Sequence, residues 1–274
     1  MKIRDLILQS ENFSTRWVKY FDVYEEVFKN LKEKKITFVE VGVLNGGSLQ
    51  MWKKYFHPES RIIGIDLNPE CKKFESNGME IFIGDQADET FWENFFKKVG
   101  KIDILLDDGG HLSYQQIITT IKAIKNINDE GLLVVEDVHS SYLDKFNNII
   151  RKTFIDFSKK LIDDINKKNP LTNKNLFKFS LNDHIHSIQF FESIVVININ
   201  KKKTYLNSKF LNKDINHHKV DDFRYKNTFS GKFFWYNKFI KKFNSLKLIK
   251  LVLFNISIFF EKYQKLKKYN KYFK

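Results

Sequence analysis

The chain has 274 residues, 42% of them hydrophobic, so it can bury a sizeable core and is not a disordered protein. Its single cysteine, Cys71, excludes an internal disulfide framework and favours a reducing compartment. The net charge of +14 is unevenly divided, since residues 1–200 hold 27 basic and 29 acidic side chains and residues 201–274 hold 20 and 4. The nearly neutral first part disfavours a nucleic-acid substrate, and the basic character belongs to the tail.

Helical and strand patterns alternate along the first 200 residues. Residues 13–35 carry apolar side chains at helical spacing and predict an amphipathic entry helix. Five β-rich runs follow, at 36–43, 61–66, 79–86, 102–107 and 131–135, with helical patterns near 48–56, 88–99 and 113–127. This alternation predicts an α/β fold with a doubly wound, Rossmann-like parallel sheet built from right-handed βαβ units. Residues 185–199 predict an antiparallel hairpin at one edge of that sheet.

The loop after the first strand, Glu40–Ser48, is rich in glycine, which allows close backbone approach to a ligand. It lacks both the G-x-G-x-x-G fingerprint of dinucleotide sites and the lysine of a P-loop. Asp66 ends the second strand, where it can accept hydrogen bonds from ribose, and Asp85-Gln86 ends the third, where it can contact an adenine. This set favours S-adenosylmethionine over a dinucleotide. The predicted cofactor-binding residues are Glu40, Gly42, Asn45, Gly46, Gly47, Ser48, Asp66, Asp85, Gln86 and Asp107.

Acids and histidines follow the fourth and fifth strands, in the runs 107–111 and 136–139. Neighbouring parallel strands lie about 5 Å apart, so these side chains would converge on one crevice. Such a cluster is costly unless a cation or a reaction uses it. His111, one turn beyond the aspartates, is the natural general base. The carboxylates that offer the hard oxygen ligands preferred by Mg²⁺ or Mn²⁺ are Asp108, Glu136 and Asp137.

Several of these assignments stay open at the level of the sequence. Asp107 ends its strand directly and can border the cofactor. Glu136 and Asp137 alternate in direction, so only one of them is expected to be a direct ligand. His139 is an alternative to His111 as the base. The side chains that can shape the acceptor pocket beside them are Ser140, Ser141 and Tyr142.

Seven motifs appear in order over about residues 16–200, at 38–43, 47–56, 63–66, 84–86, 107–111, 136–142 and 187–196. Together they resemble the metal-dependent sugar O-methyltransferases of bacterial natural-product and capsule pathways, a group that includes macrolide-sugar and capsule-heptose enzymes. The resemblance implies S-adenosylmethionine-dependent methylation of a sugar hydroxyl, with Asp108 and Asp137 on the metal and His111 as the base. One departure is Gly110, where the family usually has the serine of Asp-Asp-Gly-Ser-His.

With this resemblance the chain divides into three predicted segments. Residues 1–35 form a helical segment that caps the acceptor side, where Tyr20 and Tyr24 would contact the acceptor. Residues 36–200 form the methyltransferase domain, with a helical insertion at 143–182, and residues 201–274 form a basic, aromatic-rich extension. The expected acceptor is a sugar of a capsule or surface polysaccharide, or its nucleotide-activated precursor. Alternatives are a natural product, a phosphoramidate, or an RNA bound through the basic tail.

The end of the chain is its most basic part, because residues 225–274 hold 13 Lys and Arg and one acid. One interpretation is a basic amphipathic helix on an anionic membrane face, a second is packing in a homo-oligomer, and a third is a solvated, poorly ordered extension. The N-terminal apolar run is too short for a signal peptide, and no apolar run reaches the roughly 18 residues of a membrane span. We therefore predict a cytoplasmic protein, peripheral on the inner membrane face under the first interpretation.

Overall fold

The computed structural model describes residues 2–75, 78–146, 149, 151–169, 181–205, 208–212 and 247–272. The chain forms two compact units, Met1–Ser208 and Lys209–Lys274. The helices of the first unit are α1 (Ile3–Ile7), α2 (Val18–Phe28), α3 (Gly47–Tyr55), α4 (Glu89–Val99), α5 (Ser113–Ile124) and α6 (Phe154–Lys167). Its strands are β1 (Thr37–Val41), β2 (Arg61–Asp66), β3 (Met79–Ile83), β4 (Ile102–Asp107), β5 (Ile127–Val135), β6 (Ile185–Phe191) and β7 (Ile194–Ile199). The second unit contains α7 (Lys247–Tyr269).

The first unit is built around one sheet, which in the described part of the chain has seven strands in the order β3-β2-β1-β4-β5-β7-β6. Strands β1 to β5 are parallel, whereas β7 runs antiparallel to β5 and β6 runs antiparallel to β7. This arrangement confirms the predicted doubly wound sheet with an antiparallel edge hairpin. The direction of winding reverses at β1, which lies between β2 and β4. Ligands of doubly wound sheets bind at such a point, outside the carboxyl ends of the strands.

Helices cover both faces of the sheet because its central strands are apolar on both faces. On one face, α1, α2 and α3 pack around a cluster of aromatic side chains centred on the fully buried Trp52. On the other, α4, α5 and α6 pack around Trp92 and the opposite sides of the same strands. Successive strand residues alternate between these two layers, as Phe38 and Val39 of β1 do. The layer that a side chain at a strand end enters therefore follows from this alternation.

The N-terminal region differs from the single helix predicted over residues 13–35. Helix α2 spans only Val18–Phe28, and the short helix α1 precedes it. Residues 8–17 between them, which we call the strap, are irregular and dock on α3. The hydroxyl of Ser10 donates to the Gly47 carbonyl at 2.8 Å, and the backbone N–H of Glu11 donates to Gln50 Oε1 at 2.9 Å. These contacts to α3 take the place of helical hydrogen bonds.

The predicted helical insertion and tail are described only in part. Within residues 143–182 the structure has α6, which begins with a capping box formed by Thr153 and Asp156. The sequence of the insertion predicts a helix break at Pro170, which lies outside the described residues, as do residues 213–246 of the predicted extension. Helix α7 exposes Val252, Ile256, Phe259, Phe260, Tyr263 and Leu266. Among the described helices, none is long and apolar enough to cross a membrane.

Candidate active site

A cavity of about 720 Å³ lies at the carboxyl ends of the parallel strands. Its lining follows the strand order, from Asp85 after β3 and Asp66 at the end of β2 to Asp137 after β5. Strap residues 13–17 line it as well. The cavity therefore joins the predicted cofactor end and the predicted metal end in one continuous space, with the strap as a wall.

Gly42 brings the ends of β1 and β4 close together. It has a φ of +96°, and a Cβ at this position would overlap the backbone carbonyl of Asp108. The chain passes from there into α3 through Gly46, whose left-handed backbone precedes the helix. Of the predicted loop residues, Gly42 and Ser48 line the cavity. The others, Asn45, Gly46 and Gly47, are not among its lining residues.

Asp66 holds the glycine-rich loop in place. Its Oδ2 accepts hydrogen bonds from the backbone N–H groups of Val43 and Leu44 at 2.8 and 3.1 Å. Its other oxygen accepts from the N–H of Asn68 at 2.9 Å. Asp85 lines the cavity one strand away and accepts from the N–H of Ala87 at 2.8 Å. Both predicted cofactor acids thus lie at the cavity, with their carboxylates oriented by the backbone.

Asp107 is predicted to border the cofactor, but it lies beneath the loop that follows β4 and away from the cavity. Strand alternation turns it into the α4–α6 layer, where it is 1% exposed and is not among the residues that line the cavity. Its Oδ1 accepts from Gln86 Nε2 at 3.0 Å, and Gln86 Oε1 accepts from the N–H of Gly110 at 2.8 Å. Burial raises the pKa of Asp107 to about 6, and the Gln86 hydrogen bond opposes that rise. Asp107 and Gln86 therefore support the loop after β4 from the α4–α6 side of the sheet.

Arg16 of the strap connects the acids of three neighbouring strands, and sequence reasoning missed it. Its Nη2 lies 2.5 Å from Glu40 Oε1, its Nη1 lies 2.6 Å from Asp108 Oδ2, and its Nε lies 3.7 Å from Glu136 Oε2. Glu40, predicted to bind the cofactor, is fully buried, is not among the cavity's lining residues, and accepts from Ser48 Oγ at 2.7 Å. Glu40 therefore anchors Arg16 to the core.

One signal in the sequence could have indicated Arg16. The chain has five arginines among 47 basic residues, and arginine is the side chain that holds two carboxylates at once. Arg61 likewise makes a two-point contact, with both oxygens of the single carboxylate of Glu80 at 2.5 and 2.8 Å. Among the described arginines, Arg16 and Arg61 use this geometry in ion pairs.

Two tyrosines of α2 hold acids of the cluster. Tyr20 donates to Asp137 Oδ1 at 2.5 Å and contacts Ser193 Oγ at 2.8 Å. Tyr24 is fully buried and donates to Glu136. Tyr20 lines the cavity, so its predicted acceptor contact stays a prediction. Tyr24 is not among the lining residues, and its hydroxyl supports a carboxylate. The other three predicted acceptor residues are not among the cavity's lining residues, since Ser140 and Ser141 are buried and Tyr142 is 71% exposed.

Asp108, His111 and Asp137 each present one ligand atom, and these atoms lie within 4.8 Å of one another. His111 Nε2 is 3.6 Å from Asp137 Oδ2. His111 and Asp137 both have left-handed backbones, with φ of +57° and +51°, which non-glycine residues rarely adopt. Glu136 Oε2 is buried beside them and has no hydrogen-bond partner within the described chain. An orphaned buried carboxylate oxygen next to this hard donor set fits a divalent cation.

Burial dominates the electrostatics of this cluster. It raises the pKa of Asp108 to about 7, against the opposing charge of Arg16, and it raises the pKa of Glu136 well above its usual value. The same cause lowers the pKa of His111, so its imidazole is neutral at pH 7 and can accept a proton. His139, the predicted alternative base, is outside the cavity lining, and its Nδ1 lies 2.5 Å from Ser193 Oγ.

No family model matches the chain. It is 31% identical over 154 residues to the 8-demethyl-8-alpha-L-rhamnosyl tetracenomycin-C 2'-O-methyltransferase of Streptomyces olivaceus, covering 53% of this chain and 40% of that protein. It is 29% identical over 126 residues to the mycinamicin VI 2''-O-methyltransferase of Micromonospora griseorubida, covering 43% of this chain and 31% of that protein. The chain thus spans less than half the length of these curated relatives.

Among solved structures, the chain is similar to the MycE methyltransferase of the mycinamycin pathway, in a complex with Mg, SAH and mycinamycin VI. The TM-score is 0.67 at 20% sequence identity, over 79% of this chain and 58% of that one. This likeness confirms the Rossmann-like methyltransferase fold, and the curated relatives confirm the predicted resemblance of the chain to sugar O-methyltransferases.

Proposed function

We propose that this protein transfers a methyl group from S-adenosylmethionine to a sugar hydroxyl, assisted by a divalent metal and a histidine base. The observation that carries the proposal is the single cavity that joins Asp66 and Asp85 to His111 and Asp137. One end offers acids for a nucleoside, and the other offers a carboxylate cluster with a neutral imidazole. Methyl transfer needs both ends in one space, because the donor sulfonium and the acceptor oxygen must meet in line.

At the cofactor end, we assign the nucleoside to the cavity wall formed by Gly42, Asp66 and Asp85. The Asp66 carboxylate faces the cavity while its oxygens hold the loop, so it is oriented before the cofactor arrives. Leu44 and Leu67 are exposed at the same wall and offer apolar contacts.

At the other end, we assign Asp108 and Asp137 as metal ligands, with Glu136 as a third carboxylate, and Mg²⁺ or Mn²⁺ as the metal. When bound, such a cation supplies Lewis acidity that lowers the pKa of an acceptor hydroxyl. We assign His111 as the base, because it lines the cavity and its lowered pKa leaves the imidazole neutral and able to take the proton.

For the acceptor, we propose a sugar carried on a small molecule. The relatives named above act on glycosylated tetracenomycin and mycinamicin, and this supports the natural-product alternative over a capsule polysaccharide. A capsule or nucleotide-activated sugar stays a prediction from the sequence. On the acceptor side, Trp17 lines the cavity, is 62% exposed and packs edge-on against His139, which suits stacking on a sugar ring.

The test is SAH formation from S-adenosylmethionine with a panel of rhamnosides, macrolide glycosides and nucleotide sugars. We expect EDTA to abolish turnover while SAH still binds in calorimetry. His111→Ala is expected to lose about 100- to 10,000-fold in turnover, the range for removal of an acid–base group, with an unchanged thermal midpoint. Asp108→Ala should lose turnover as well, because it removes a metal ligand, and should also lower the thermal midpoint, because it leaves Arg16 without that partner. His186→Ala, an exposed histidine on β6, is the matched control and should turn over normally. Wild-type turnover in His111→Ala, or insensitivity to EDTA, would overturn the assigned roles.

A further inference from the structure

We propose that Arg16 is a positioning residue that holds Asp108, beside Glu136, for cation binding, so that the cation site is complete only when the strap is docked. The inference rests on the proposed function, since it assumes a divalent cation at Asp108 and Asp137. It adds a link between the N-terminal strap and the chemistry at the far end of the cavity.

The first observation is the reach of the guanidinium. Glu40 lies on β1, Asp108 directly follows β4 and Glu136 directly follows β5. These strands are neighbours in the sheet, and Arg16 lies beside all three acids. Two of these carboxylates are fully buried, and the Arg16 side chain itself is 8% exposed. A planar group with donors on both edges fixes the orientation of each acid that it contacts.

The second observation is which side chains hold Asp108 and Glu136. Asp108 Oδ2 is held by Arg16 at 2.6 Å, and the same side chain contributes one ligand atom to the group formed with His111 and Asp137. Glu136 is held at Oε1 by Tyr24, and its Oε2 and the Arg16 Nε face each other at 3.7 Å with no hydrogen bond in the described structure. Arg16 thus orients Asp108 by a short ion pair, whereas Tyr24 orients Glu136, and a partner that orients a carboxylate in this way supports it as a metal ligand.

The third observation is where the arginine comes from. The strap reaches α3 through Ser10 and through the N–H groups of Glu11 and Asn12, which both donate to Gln50 Oε1 at 2.9 and 3.2 Å. These hydrogen bonds join Gln50 to the backbone of the strap, and neither of them involves Glu40, Asp108 or Glu136. Undocking the strap would therefore withdraw Arg16 from the acids without any change at the acids themselves.

The sign of one measurement separates positioning from simple charge. If Arg16 only adds positive charge next to the cation, its removal tightens cation binding. If it positions the ligands, its removal weakens binding, because the loss of a partner that orients a metal ligand typically costs about 10- to 100-fold in affinity.

The experiment is titration of the full chain with Mn²⁺, with free Mn²⁺ measured by electron paramagnetic resonance and no acceptor present. Arg16→Met is expected to bind Mn²⁺ about 10- to 100-fold more weakly than the wild type. Arg16→Lys should bind Mn²⁺ with an affinity between those of Arg16→Met and the wild type, because an ammonium keeps the positive charge but lacks the planar, two-pronged guanidinium. Gln50→Ala should weaken Mn²⁺ binding as well. Lys19→Met, which removes an exposed cation near the strap, is the matched control and should bind like the wild type. Circular dichroism verifies that each variant is folded.

Each outcome decides the proposal. Unchanged or tighter binding in Arg16→Met, or in Arg16→Lys if the methionine variant does not fold, overturns the positioning role. Unchanged binding in Gln50→Ala overturns the link to strap docking. If the wild type binds no Mn²⁺, the metal-dependent function fails together with this inference. If the wild type binds Mn²⁺ and the Arg16 variants bind it with the same affinity, only this inference is refuted.

Discussion

Gly42 offers the sharpest test of how the site is built, because a side chain there meets two separate penalties. Its φ of +96° costs a non-glycine residue about 1–3 kcal/mol. The added Cβ would also overlap the carbonyl carbon and oxygen of Asp108, and overpacking of this kind costs about another 1–3 kcal/mol. Gly42→Ala is therefore expected to lose about 2–6 kcal/mol of unfolding free energy.

Gly100 at the end of α4 is a matched control. It has a similar φ of +82°, but a Cβ there meets no atom within 4 Å. Gly100→Ala should therefore show the backbone penalty alone, about 1–3 kcal/mol. Both variants are compared by urea unfolding monitored by tryptophan fluorescence.

SAH titration gives a second readout for the same pair. Gly42 lines the cavity and Gly100 does not, so only Gly42→Ala should bind SAH more weakly. Equal destabilisation of the two variants, with equal SAH affinity, would refute the close approach of the ends of β1 and β4.

Two further predictions concern pH and the tail. Burial, reinforced by Lys201, lowers the pKa of His184, so its contribution to stability is complete above the unfolded value of about 6.5 and is lost as the pH falls through the folded pKa. When the pH is lowered from about 7.5 to about 5.5, the thermal midpoint of His184→Gln should therefore fall by less than that of the wild type. An equal fall in the two proteins would contradict this. The exposed apolar side chains of α7, with Lys262 and Lys267 beside them, predict co-sedimentation with vesicles that contain phosphatidylglycerol, and weaker binding of Phe259→Glu. Equal binding to pure phosphatidylcholine would be against it.

The family resemblance and the parallel sheet could be predicted from the sequence because both depend on local patterns. Strand length, helix spacing and the residues at strand ends are readable along the chain, and strand order follows from a few topological rules. The convergence of Asp108, His111 and Asp137 needed only the expectation that β4 and β5 are neighbours, which the strand pairing confirms.

The N-terminal segment was harder to predict because its structure depends on distant contacts. The apolar residues of 13–35 suit a helix, yet the strap leaves helical geometry to reach α3, and Arg16 meets acids that lie 24 to 120 positions later in the chain. Such contacts between segments far apart leave no periodic pattern. The sequence likewise predicts acceptor contacts for Tyr20 and Tyr24, and no local pattern indicates that their hydroxyls bind Asp137 and Glu136.

The sequence by itself determined which acids and histidines gather at the carboxyl edge of the sheet, because strand ends are readable locally and the carboxyl ends of parallel strands meet at one edge. Only the tertiary structure decided which group does what. Strand alternation at the end of β4 sends Asp107 under the loop and leaves Asp108 facing the strap. Left-handed backbones at His111 and Asp137 then turn both side chains toward Asp108. Neighbouring acids thus acquire different partners because a side chain's direction depends on the surrounding packing, which no single stretch of sequence contains.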